Sequence, residues 1–114
     1  MEDQMQKALE TPYYAVIFTS KRTDGDHGYG EASENVVGIV SKFEGFLGAE
    51  SVRDSNGLGI TISYWESMAH IDKWRQNAVH SSAKSMGRET WYSSYRIRIC
   101  EVKYENSFQH PEHQ

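Results

Sequence analysis

Two places in this sequence combine a reactive side chain with a setting that could use it. His80 is one. An imidazole titrates near neutrality and can take a proton from a phenol or quinol. It falls near the start of a segment where a helix restarts after Asn77, so its ring could turn toward a pocket. The competing reading is a capping or surface histidine. The other place is the stretch RETWYSSY, from Arg88 to Tyr95. It offers a fixed cation in Arg88, an indole in Trp91 and phenols in Tyr92 and Tyr95. A guanidinium can hold a carboxylate or a developing enolate, and a phenol can donate to a carbonyl. An arginine ion-paired at a subunit surface fits the pattern equally well. Tyr64 and Trp65 are consecutive in an alternating run, so only one of them can face a pocket. Trp74 shares a helical face with Ile71 and Ala78, which reads as core.

Other chemistries find no pattern. His27 and His70 are isolated, with no second ligand at metal spacing. Gly25, Gly28 and Gly30 lack the Lys-Ser/Thr of a phosphate loop, and no serine sits in a nucleophile elbow. His110 and His113 fall in a polar tail. Twelve Lys and Arg stand against sixteen Asp and Glu, for a net charge of −4, and acids are interspersed among the bases. Phosphate binding needs concentrated cations, so no nucleic-acid partner is expected. No apolar run is long enough to span a bilayer, so no membrane partner is expected. The polar start, MEDQMQKALE, is unlike a signal peptide. The single cysteine, Cys100, cannot form an intrachain disulfide, which suits a cytoplasmic location. It lies in an apolar alternating stretch and is expected to be a buried thiol. Three Trp, seven Tyr and four Phe are enough to line a cavity for a flat organic ligand.

The elements that would position these groups can be read from periodicity. The 114 residues allow one domain, expected over 12–106 between tails at 1–11 and 107–114. Four runs read as strands: Tyr13 to Ser20, Phe46 to Arg53, Gly59 to Trp65, and Trp91 to Tyr104. In the last, Tyr95, Ile97 and Ile99 fall on one face and Arg96 and Arg98 on the other. Ser55-Asn56-Gly57 marks a hairpin turn. A helix is expected over Glu31 to Glu44, with Val36, Ile39, Val40 and Phe43 on one face. A second begins after Ser67 as N-cap. A third spans Ala78 to Met86, with Gly87 ending it. The order β-α-β-β-α-β predicts an α+β fold of the ferredoxin-like kind, a four-stranded antiparallel sheet with its helices on one face. The other sheet face would carry either the Tyr95 row or the Arg96 row. A second copy of the chain is the simplest cover, so a homodimer is expected.

With these elements in place, KFEGFLGAESVRD, GITISYWES, the helix bearing Trp74 and His80, and GRETWYSSYRIRICEV together resemble antibiotic biosynthesis monooxygenase domains. The matching positions are Glu44-Gly45-Phe46-Leu47, Trp65-Glu66-Ser67, Trp74 and His80, and the likeness covers about residues 13 to 105. The resemblance implies a dimeric α/β barrel. Each subunit would hold a pocket between sheet and helices, with Trp74 on its wall. It further implies oxidation of an aromatic or quinol-type molecule by O2 with no metal or flavin cofactor. The haem-degrading branch of the fold uses an Asn on the first strand and a His ten residues after the Trp. Here the first strand has no Asn and the tenth residue is Lys84, which steers the reading away from haem. The rival to an oxygenase is a non-catalytic binding or stress-response domain that uses the same pocket.

Overall fold

The computed structural model describes residues 5–111, apart from the side chains of residues 78–80. Its four strands are β1 (Tyr13–Arg22), β2 (Phe46–Arg53), β3 (Leu58–Trp65) and β4 (Tyr92–Val102). They form one antiparallel sheet in the order β2-β3-β1-β4. The helices are α1 (Tyr29–Val40), α2 (Met68–Arg75) and α3 (Ala78–Met86). This is the ferredoxin-like α+β arrangement. No helix among the described residues is long and apolar enough to cross a membrane.

The Asn-Gly step closes the β2–β3 hairpin. Gly57 takes φ of 90°, and the Asp54 carboxylate accepts from the backbone of Asn56 and Leu58 at 2.9 and 3.0 Å. Ser67 caps α2, its hydroxyl accepting from the His70 backbone at 3.2 Å and meeting His70 Nδ1 at 2.7 Å. Helix α1 is shorter than its apolar spacing predicts. It ends at Val40, and Phe43 follows in a turn whose backbone N–H bonds to Val40. Phe43 still reaches the core, so the apolar spacing outlasts the helix itself.

Strand register assigns the two faces. Tyr14, Val16 and Phe18 lie opposite Trp65, Ser63 and Thr61 on β3, and Val16 and Phe18 opposite Ile99 and Ile97 on β4. Val16 and Ile99 pack with the helices, so this is the helix face. Its core centres on Trp65, Ile71 and Trp74. Phe43 and Phe46 meet Trp65 edge-on at 6.4 and 5.4 Å, and Phe43 meets Trp74 at 5.2 Å. Such contacts each add on the order of 0.5–1.5 kcal/mol beyond area burial. The Trp65 indole N–H donates to Ser63 Oγ at 2.9 Å, so its burial leaves no orphan donor.

The open face therefore carries the Arg96 row, with Ile17, Ile60, Ile62, Tyr64 and Val52 beside it. Cys100 shares that parity and is exposed, contrary to the expected buried thiol, because its alternation places it away from the helices. Val52, Leu58 and Ile60 are 73%, 52% and 41% exposed there. Residues 5–11 are more than a tail. The Gln6 backbone N–H donates to Glu50 at 2.7 Å and its amide to the Leu47 carbonyl at 3.2 Å, while Leu9 N–H reaches Glu105 at 3.2 Å. Gly48 leaves the space that the Gln6 side chain fills.

Candidate functional site

The site begins with a bulge. β1 and β4 pair residue for residue as far as Lys21 and Ser94, and then Arg22 pairs with Tyr92, leaving Ser93 as an extra residue. Strict alternation would put Tyr92 and Tyr95 on opposite faces. The bulge turns both toward the helix face. There Tyr92 meets Phe18 at 5.3 Å, Tyr95 meets Phe18 at 5.4 Å, and the two tyrosines meet each other at 6.2 Å.

Tyr29 closes the cluster from α1, 5.9 Å from Tyr92 and 5.7 Å from Trp91. Its position is set locally. Asp26 accepts from the backbone of Gly28 and Gly30 at 3.1 and 3.0 Å, capping the start of α1 through the left-handed Gly28. The Trp91 indole donates to the His27 carbonyl at 2.9 Å and ties this loop to β4. Burial, followed by a hydrogen bond to Tyr29, pushes the Tyr92 phenol well above its ordinary range. It is neutral at physiological pH.

Three arginines surround the rings. Arg22 lies 4.0 Å over the Tyr29 ring and donates to the Trp91 carbonyl at 2.7 Å. Arg53 donates to the Gly57 carbonyl at 2.6 Å and to the hydroxyl of buried Ser20 at 2.8 Å, with its guanidinium 6.0 Å from the Tyr92 ring centre. Arg88 donates through Nε to the Tyr95 hydroxyl at 2.8 Å. The result is a cationic rim around an aromatic patch.

The site residues expected from sequence whose side chains are described separate into three places. Arg88, Trp91, Tyr92 and Tyr95 come together here. Trp65 and Trp74 are 1% and 7% exposed and stack on each other in the core at 6.4 Å, so shape-filling accounts for both. Tyr64 lies on the open face, edge-on to Tyr13 at 5.7 Å and bonded to Glu50. His80 is the third residue of α3, and its side chain lies outside the described residues. Helix α3 ends at Met86 as expected, but Gly87 is not a left-handed cap. It opens a π-helical turn, Gly87–Trp91, that leads into β4. It is buried, and a Cβ there would press on the Tyr92 ring, so its smallness serves packing where a left-handed cap was expected.

Phe18, Tyr29, Ser20, Arg22 and Arg53 were not foreseen as site residues. Phe18 shares parity with Val16, and pairing β1 with β4 would have set it beside Tyr95. Tyr29 carries no such signal, because it borders a glycine-rich loop whose path the sequence leaves open. A separate depression of about 300 Å³ is lined by Asp72, Arg75, Gln76 and Lys84. Its polar lining, with Arg75 3.7 Å from Asp72, does not suit an aromatic ligand.

The family model described as Antibiotic biosynthesis monooxygenase matches residues 12–85. A relative in Bacillus subtilis (strain 168), Uncharacterized protein YqjZ, is 48% identical over 109 residues, covering 96% of each chain. Among solved structures, SnoaB, a cofactor-independent oxygenase from Streptomyces nogalater, has a TM-score of 0.72 at 6% identity, over 83% of this chain and 97% of its own. PA3566 from Pseudomonas aeruginosa has a TM-score of 0.69 at 15% identity, over 85% of this chain and 100% of its own. At these identities the structural likeness speaks for the fold. The family match ends before Arg88, so the aromatic segment of β4 lies beyond it.

Proposed function

This chain belongs to the antibiotic biosynthesis monooxygenase family, and on that premise we propose that it is a cofactor-independent monooxygenase of an electron-rich aromatic or quinol-type molecule. The observation that carries the proposal is the Phe18–Tyr29–Tyr92–Tyr95 cluster with Arg88 bonded to Tyr95. A flat substrate stacks against these rings, next to Ile97, which is 44% exposed on the same face.

The chemistry asks little of the protein beyond binding, deprotonation and stabilisation of an anion. His80 removes a proton from a phenol whose keto tautomer holds a CH2 carbon. The anion gives one electron to O2, and the radical and superoxide recombine at that carbon. Loss of water from the peroxide then leaves a carbonyl. Overall, CH2 and O2 become C=O and H2O, with no outside reductant. The guanidinium groups around the cluster stabilise the developing negative charge through space.

The homodimer belongs to the same reading. Val52, Leu58 and Ile60 form an apolar patch on the open face, and a second copy covers it.

Oxygen uptake by the purified protein with a panel of anthrones and hydroquinones tests the reading. The expected result is uptake above autoxidation for at least one compound. In His80→Ala the rate falls on the order of 10²-fold or more and loses its dependence on a group titrating near neutrality. No uptake across the panel, or an unchanged rate and pH profile in His80→Ala, counts against it.

A further inference from the structure

Beyond the reaction class, the rim of the cluster carries information about the substrate. Among the described residues, none of Arg22, Arg53 and Arg88 is paired with a carboxylate. Arg22 and Arg53 spend their terminal nitrogens on carbonyls and the Ser20 hydroxyl. Arg88 differs. It is exposed, its one hydrogen bond leaves through Nε to the Tyr95 oxygen at 2.8 Å, and both terminal nitrogens stay open. Tyr95 accepts that bond, so its own proton remains to be donated.

We propose that Arg88 and Tyr95 form a clamp for a carboxylate borne directly on the aromatic ring of the substrate. This inference rests on placing the substrate at the Phe18–Tyr95 surface. The two free guanidinium nitrogens match the two oxygens of a planar carboxylate, and the phenol adds a third donor. A carboxylate conjugated to its ring is coplanar with it, so gripping one fixes the plane of the other. The Nε bond to Tyr95 holds the fork in place before the ligand arrives, which lowers the ordering cost of binding. Arg22 and Arg53 add positive charge and, among the described residues, have no carboxylate within salt-bridge distance. A phenolate alone would use one donor of this array, whereas an aryl carboxylate uses all three.

The test is isothermal titration of the full-length protein with a hydroquinone carboxylic acid and its uncharged carboxamide, gentisate and gentisamide. Gentisate is expected to bind on the order of tenfold tighter or more, with the margin shrinking as salt rises. In Arg88→Gln the two affinities converge. Arg88→Lys, which keeps the charge but loses the fork, gives an intermediate ratio. Tyr95→Phe also reduces the ratio and provides a second check on a variant that removes one oxygen. Equal affinities, no binding of either compound, or a preference that survives Arg88→Gln overturns the proposal. Oxygen uptake with gentisamide is followed separately. Uptake without an acid preference defeats the clamp and leaves the oxygenase reading standing. An acid preference that tracks Arg88 without uptake with either compound supports the clamp and defeats the oxygenase reading.

Discussion

Gly87 and the ring of Tyr92 touch across the π-turn, and a Cβ on Gly87 would stand 3.0 Å from Cδ2 and 3.1 Å from Cε2 of that ring. The ring has no clear retreat, because Phe18, Tyr29 and Tyr95 pack around it. Gly87→Ala is therefore an overpacking change at the site itself. It should cost about 1–3 kcal/mol and weaken binding of aromatic ligands. Thermal melts with and without ligand check both effects, and an unchanged melting temperature with unchanged affinity would show that the ring can move.

Gly45→Ala should be worse than Gly87→Ala. Gly45 has φ of 86°, and a Cβ there would fall 2.2 Å from Cγ of His70. His70 is held by the Ser67 hydroxyl, and the Gly45 carbonyl accepts from Glu66 N–H at 2.8 Å, so ring and backbone are both tied. Left-handed backbone and steric overlap act together. Urea unfolding of the two variants side by side should give the lower midpoint for Gly45→Ala, and the reverse order would refute the packing argument.

The order of elements along the chain and the hairpin were legible because they rest on local rules: alternation, the Asn-Gly step and the Ser67 cap. The grouping of Tyr92 with Tyr95 was not, because one extra residue at Ser93 reverses the parity between them and nothing in the local sequence announces it. Trp65 and Trp74 stand at positions that carry the family resemblance, and both are nearly fully buried in the helix-face core. Cys100 shares the parity of Arg96 and Arg98, which the alternation shows, but strand pairing and packing decide that the Ile99 row is the one that meets the helices. The docking of residues 5–11 was hidden because it depends on backbone bonds to Glu50 and Glu105, which leave no periodicity to read.

Stability should fall at both ends of the pH scale through one cluster on the open face. Burial, followed by its bond to Glu105, raises the Tyr13 phenol from 10.0 to about 12. A folded-state pKa above the unfolded one favours folding fully below pH 10.0, and that benefit is lost as the pH climbs through about 12. Tyr64 shifts in the same direction, by burial and then by Glu50. The Gln6 backbone bond, then the Tyr64 hydroxyl, lowers the Glu50 carboxyl. Its contribution is present above the ordinary carboxylate range and is lost as pH falls through the lowered value. Absorbance titration of tyrosinate should show Tyr13, Tyr64 and Tyr92 ionising late, with Tyr13→Phe and Tyr64→Phe each removing a late step. Glu50→Gln should flatten the acid limb of the stability curve. A single tyrosinate transition near the ordinary value in the folded protein would contradict the account.

The apolar patch on the open face makes an assembly prediction. Val52→Glu and Ile60→Glu place charges where a second copy is proposed to pack, without touching the Trp65 core. Sedimentation velocity should find a dimer for the parent chain and a monomer for the double variant, with helix content retained. A monomeric parent, or a double variant that still dimerises, removes the proposed interface.

The most direct test of the central claim compares oxygen uptake in variants of the aromatic cluster with a distant aromatic control. Phe18→Ala and Tyr95→Ala open the proposed substrate surface, whereas Phe108→Ala removes a ring that is 82% exposed on the C-terminal segment. With the best substrate from the anthrone and hydroquinone panel, uptake should fall at least about tenfold in each cluster variant, as losing a stacking contact worth on the order of 1.4 kcal/mol implies, and hold in Phe108→Ala. Equal rates in all four proteins, or none above autoxidation, would contradict the assignment of this cluster as an oxygenase site.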